Sequence, residues 1–134
     1  MKHSIKVTLS LISVFILVCE FFYGIPFLGG MIIFSYFWQP LLFNAFLYLV
    51  LVIILLFDKQ NAIKPMLVIP LIGIVGSLIA ILPIIGMITH WILFFLMVFF
   101  LFIVLSAPTY LPNKNARVVY TQYKDDKHEN RWFN

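Results

Sequence analysis

Residues 91–110 read WILFFLMVFFLFIVLSAPTY, with no charged side chain in the run. About 20 residues of α-helix span roughly 30 Å, the thickness of a bilayer's hydrocarbon core. Composition agrees over the whole chain. Hydrophobic residues make up 63% of the 134 and charged residues 10%, against about 45–50% and about 25% in ordinary soluble domains. So few charges cannot cover a water-exposed surface. The expected solvent is lipid.

Working back from 91–110, three more apolar runs appear. The third is 65–85, with Pro70 and Pro83 and with Gly73, Gly76, Ser77 and Ala80 between them. Gly86 to His90 is read as the tight link to the last run. Counting back about 20 residues from Asp58 puts the second run at 38–57, with Pro40 in its first turn, where proline is tolerated. The first is 5–24, preceded by Lys2 and Lys6 and ended by Gly24 and Pro26. Residues 25–37 are too apolar for a water-exposed loop. Three readings stay open for them: a re-entrant segment, an interfacial segment, or the start of a longer, Pro40-kinked second helix. Residues 111–134 are polar and read as a disordered cytoplasmic tail.

Charge sets the orientation. The nine basic residues are Lys2, Lys6, Lys59, Lys64, Lys114, Arg117, Lys124, Lys127 and Arg131. With four spans they all fall on one side, which the positive-inside rule makes cytoplasmic. The expected fold is an all-α integral membrane protein of the plasma membrane. It has four transmembrane helices arranged as two helical hairpins, with both termini inside. The basic residues sit between apolar runs, so they read as topology signals and lipid-headgroup contacts, and nucleic acid is not expected as a partner.

A faint repeat is visible. Ile25-Pro26-Phe27-Leu28-Gly29 recurs 57 positions later as Leu82-Pro83-Ile84-Ile85-Gly86. Duplication would relate the two hairpins by an axis along the membrane normal. Proline and glycine are also common at helix ends without any duplication.

Glu20 is the residue most in need of explanation, because a charge at the centre of a span costs on the order of 2.5–3.5 kcal/mol on insertion scales. It lies four residues from Gly24, or about 6 Å from the helix end. From that depth it is expected to reach the outer interface without a partner and to stay in contact with outside water. The other expectation groups it with Gln39, Asn44, Thr89 and His90 in an outer polar cluster, with Glu20 and His90 paired. One histidine and one glutamate on different helices are too few to fix a metal. No metal and no cofactor are expected.

Gly73, Gly76, Ser77 and Ala80 form a small-residue stripe. Such stripes let helix backbones approach closely, here either within the unit or against a second copy or another membrane protein. Tyr36, Trp38 and Trp91 fit an outer aromatic belt and Tyr110 an inner one. Cys19 is the only cysteine, which excludes an intrachain disulfide. It follows residues too bulky for lipoprotein processing. No Gly-x-Ser-x-Gly, His-Glu-x-x-His or P-loop occurs.

The gross plan, with a glutamate in the first of four short spans, resembles the small multidrug resistance transporters. Their motif around that glutamate is not matched by Val18-Cys19-Glu20-Phe21-Phe22, and the one-sided charge here departs from their dual-topology members. Two functions are expected. One is a non-enzymatic accessory subunit, assembly or regulatory factor, or immunity-type protein acting through helix contacts. The other is a small oligomeric transporter or channel using Glu20.

Overall fold

The computed structural model describes residues 1–58 and 63–109. The tail at 111–134, Tyr110 and the loop at 59–62 lie outside the described residues. Every regular element among the described residues is helical. These are α1 (His3–Gly24), α2 (Leu28–Ser35), α3 (Gln39–Phe57), a 3₁₀ turn (Lys64–Leu67), α4 (Val68–Ile79) and α5 (Pro83–Ser106). Three of them, α1, α3 and α5, are long and apolar enough to cross a membrane. The fourth apolar piece, Lys64–Ile79, is shorter. Its 3₁₀ turn and α4 together rise about 26 Å.

The four longer helices close into a ring. Helix α1 packs most extensively on α5, α3 on α4, α4 on α5 and α1 on α3. Each inward face repeats at three- and four-residue steps, as a helix requires. In α1 the buried residues are Leu9, Ser13, Ile16, Glu20 and Gly24. In α5 they include His90, Leu93, Met97, Phe100 and Val104. The outward faces are apolar too: Leu11 is 67% exposed, Phe95 64% and Phe102 66%. A helix surface this apolar has lipid as its natural solvent.

Antiparallel packing brings the start of α1 to the end of α5. The Lys6 ammonium donates to the Ala107 carbonyl at 2.8 Å, and the N-terminal ammonium to that of Pro108 at 3.4 Å. A helix C-terminus carries unpaired carbonyls and partial negative charge, so two cations are well placed there.

The boundaries differ from the sequence reading at two places. The chain turns at 80–82, inside the expected third span of 65–85, and α5 starts at Pro83. Gly86 to His90 therefore lie within α5 and do not link two helices. Proline favours this position because it fixes a helical φ and lacks an N–H that would have no partner in the first turn. The expected span 91–110 is thus the later part of a longer helix. Second, residues 28–35 form a helix of their own, so the longer-second-helix reading is set aside. Phe27, Phe37 and Trp38 take positive φ on either side of α2 and separate it from α1 and α3 as an element of its own.

The two Pro-x-x-Gly segments share one hydrogen bond but differ in backbone path: Phe27 takes φ 67° and the Leu28 N–H donates to Pro26 O at 2.8 Å, whereas Ile84 is already part of helix α5. The Gly29 N–H donates to Ile25 O at 3.0 Å and the Gly86 N–H to Leu82 O at 2.6 Å, each spanning the proline. A β-carbon on Gly29 would collide with the Tyr23 carbonyl, and one on Gly86 with that of Ala80, in both cases six residues back. The first segment is the elbow between α1 and α2, and the second is the opening turn of α5.

The small-residue stripe is used inside the bundle. Gly73 faces the ring of Tyr48, Gly76 faces Leu93 and Ala80 is buried with Leu41 and Ile33. The Ser77 hydroxyl donates to Gly73 O at 2.8 Å. A methyl at Gly73 would strike an aromatic ring, whereas one at Gly76 would meet the end of a flexible leucine at 2.9 Å. Gly73→Ala should therefore cost about 1–3 kcal/mol as overpacking. Gly76→Ala should cost less, and Leu78→Ala, half exposed to lipid, least. Thermal midpoints in detergent test the order, and equal midpoints for Gly73→Ala and Leu78→Ala would contradict the packing described.

Candidate functional site

Glu20 sits on the inward stripe of α1, one turn before its end, and is 0% exposed. Three side chains from two other helices meet its carboxylate. Asn44 Nδ2 donates to Oε1 at 2.6 Å and the Tyr48 hydroxyl to the same oxygen at 2.8 Å. His90 Nδ1 lies 2.6 Å from Oε2. Asn44 and Tyr48 are one turn apart on α3, so both face α1. A carboxylate is acceptor-only, and three converging donors match it. The 2.6 Å separation places a shared proton between His90 Nδ1 and Glu20 Oε2. All four side chains are buried, Asn44, Tyr48 and His90 each at 0% exposure.

This corrects the reading drawn from depth. Glu20 is neither partnerless nor in contact with water. Distance along a helix measures position relative to its end, while burial depends on which face the residue occupies. Glu20 shares its face with Ser13 and Ile16, and that face meets α3 and α5.

Of the expected cluster, Glu20, Asn44 and His90 come together. Gln39 does not join them: it is exposed at the first position of α3, with no hydrogen bond to the group among the described residues. Thr89 turns outward and donates to Ile85 O of its own helix at 2.8 Å. Tyr48 was missed. Its signal was its place one turn after Asn44, together with a glycine on the next helix able to admit a ring. Trp91 does more than line a belt, since its indole N–H donates to Gly24 O at 3.0 Å and satisfies a carbonyl at the end of α1.

Beyond His90 lies a cavity of about 320 Å³. It is framed by the end of α1, the 25–27 elbow, α2, the 80–82 turn and the first two turns of α5. Its walls are almost wholly apolar, with Tyr23 and His90 the exceptions. The Tyr23 and His90 rings lie 5.3 Å apart. His90 Nε2 is buried and has no hydrogen-bond partner among the described residues. A carboxylate–imidazole pair is the orienting half of a hydrolytic triad, but the cavity lining adds no serine, threonine or cysteine. No three histidine, cysteine, aspartate or glutamate side chains gather to hold a metal among the described residues. Comparison with protein families, curated proteins and solved structures finds no match to this chain.

The cluster generates a stability ranking. Tyr48→Phe removes one hydrogen bond to a charged group and should cost about 1.5–3 kcal/mol. Glu20→Ala strands three buried donors and should cost about 3–5 kcal/mol. Tyr48→Phe combined with Gly73→Ala should cost less than the sum of the two, because moving the ring already breaks the hydroxyl's bond. Unfolding in detergent checks all three, and strict additivity of the last pair would separate Gly73 from the cluster.

Proposed function

We propose that this is a four-span, non-enzymatic membrane protein of the plasma membrane, with both termini cytoplasmic. It works by helix contacts with another membrane protein or a second copy of itself, as an accessory subunit, assembly or regulatory factor, or immunity-type protein. Lys64–Ile79 serves as the third span, short enough to need thinning of the lipid around it or lysine snorkelling. The orientation draws on the described lysines. Lys2, Lys6 and Lys64 lie at the end of the bundle where α1 begins and α5 finishes. The opposite end, formed by 25–27, 36–38 and 80–82, has none. The positive-inside rule makes the lysine end cytoplasmic.

The observation that carries the functional reading is the coordination of Glu20. An ion-coupled carrier must expose an ionisable group to the two sides in turn. Here the carboxylate of the first span is held by α3 and α5 at once and is fully buried. Such an arrangement suits a fixed bundle. No Asp, Lys, Arg or second Glu lies deeper within the apolar runs to relay a proton. The competing reading, a small oligomeric transporter or channel using Glu20, draws on the Glu20–His90 pair facing a cavity. Flux decides between them. Protein in liposomes should show no solute movement under a pH gradient, and Glu20→Gln should leave biological activity largely intact. Flux that Glu20→Gln abolishes in a folded protein would replace the accessory reading with the transporter.

Topology is tested separately. After Cys19→Ser, single cysteines at Ser4, Asn61, Asn115 and Phe27 should divide cleanly. Only position 27, 93% exposed in the elbow, should react with an impermeant thiol reagent on intact cells. Position 90 is unsuitable as the outer reporter because His90 is buried. Labelling at 61 would overturn the orientation.

A further inference from the structure

A groove of about 440 Å³ opens where the first turns of α1 meet the end of α5. Its lining changes character along its length. His3 and Lys6 stand at the end of the bundle, while Val7, Leu11 and Leu105 line the part nearer its middle. Leu11 lies five residues beyond Lys6, about 7.5 Å further along the helix axis. Val7, Leu11 and Leu105 are exposed, so the apolar part faces the lipid that surrounds the bundle. A groove that is cationic at one end and apolar below it matches a molecule with an anionic head and a hydrocarbon body.

The cation is fixed in place. Lys6 Nζ donates to Ala107 O at 2.8 Å, which ties the ammonium to the end of α5. An ammonium has three N–H groups, so two remain for a ligand. A helix C-terminus supplies about half a unit of negative charge, less than Lys6 alone carries. Among the described residues, Glu20 and Asp58 are the only carboxylate side chains, and both are buried. Glu20 is also at the other end of α1. Asp125, Asp126 and Glu129 lie outside the described residues. The exposed charge of this end is thus one-sided, with Lys2 and His3 exposed beside the groove.

We propose that the groove holds one anionic phospholipid, of the phosphatidylglycerol type, with its phosphate on Lys6 and His3 and an acyl chain along Val7, Leu11 and Leu105. Basic pockets between helices at a membrane surface recognise anionic headgroups in this way. The charge selects the class. The ammonium of a zwitterionic headgroup finds no exposed carboxylate among the described residues to receive it. The inference rests on the reading that the bundle lies in a membrane, with this end at a headgroup layer. It uses neither the side that layer faces nor a protein partner, so its failure leaves both of those untouched.

Native mass spectrometry of the full chain released from a maltoside detergent tests the site, because it counts the lipids retained. The probes are phosphatidylglycerol, phosphatidylcholine with the same acyl chains, and inorganic phosphate. One phosphatidylglycerol should be retained saturably, with about tenfold preference over phosphatidylcholine. Excess inorganic phosphate should not displace it, since phosphate lacks the acyl chain. Lys6→Gln should weaken retention about fivefold and Lys6→Arg should preserve it. His3→Glu, at an exposed position where the fold is not at risk, should weaken it at least as much as Lys6→Gln. Lys64→Glu is the control: it removes more charge from the same end, outside the groove, and should leave retention unchanged. Equal retention of the two lipids overturns the proposal, and so does occupation of the groove by the chain's own acidic tail, which would abolish the preference. Full displacement by phosphate, undiminished retention by His3→Glu, or a loss in Lys64→Glu equal to that in His3→Glu would each overturn it as well.

Discussion

One carboxylate accepting three hydrogen bonds holds the bundle in register. Apolar helices in lipid gain little from one rotation or offset over another, because lipid tails and leucines offer similar contacts. A polar group that must find its partners removes that freedom. Glu20 fixes α1 against α3 through Asn44 and Tyr48, and against α5 through His90. The fourth helix enters through shape. Tyr48 can lie where it reaches Glu20 because α4 offers Gly73 beneath its ring. The polar cluster and the small-residue stripe are therefore parts of one arrangement, in which the hydroxyl group needs the glycine and the glycine's purpose is the ring.

The elbows set the other boundary. At each, a proline and a glycine three residues later close a backbone hydrogen bond across the proline, around the positive φ of Phe27 in the first and within α5 in the second. The helices they lead into are unlike. After Pro83 the helix runs on to Ser106, whereas after Pro26 it stops at Ser35 and restarts at Gln39. The aromatic residues at positive φ, Phe37 and Trp38, stand at that interruption. The interruption leaves α2 beside the mouth of the cavity, and continuity in the other half delivers His90 to its floor. Two like sequences thus take different backbone paths and build two different walls.

Much of this was legible in the residues. Apolar runs of the right length gave the helices, while the inward faces stayed hidden because the runs are apolar all round. The start of α3 came from counting about 20 residues back from Asp58, and Pro40 is compatible with it because proline is tolerated in a first turn. Glycine and proline misled at Gly86, which looks like a linker and is a helix residue pressed against a carbonyl. Linear depth misled at Glu20, since burial depends on azimuth around the helix and on what the other helices present. Gln39 and Asn44 are equally polar in sequence, and only the rotation of α3 separates them. Tyr48 carries a polar tip on a large apolar ring, so its role could not be read until its neighbour on α4 was known.

The order in which the chain is made gives the Glu20 cluster a further consequence. Asn44 comes 24 residues after Glu20, and His90 comes 70 after it. A ribosome inserting helices in sequence delivers the acid long before its last partner. During that interval the first helix must hold an unmatched polar group, and its largest interface, with α5, does not yet exist. Until then the carboxylate lacks the Asn44, Tyr48 and His90 contacts that hold it in the finished bundle, and the last helix to be made supplies the last of them.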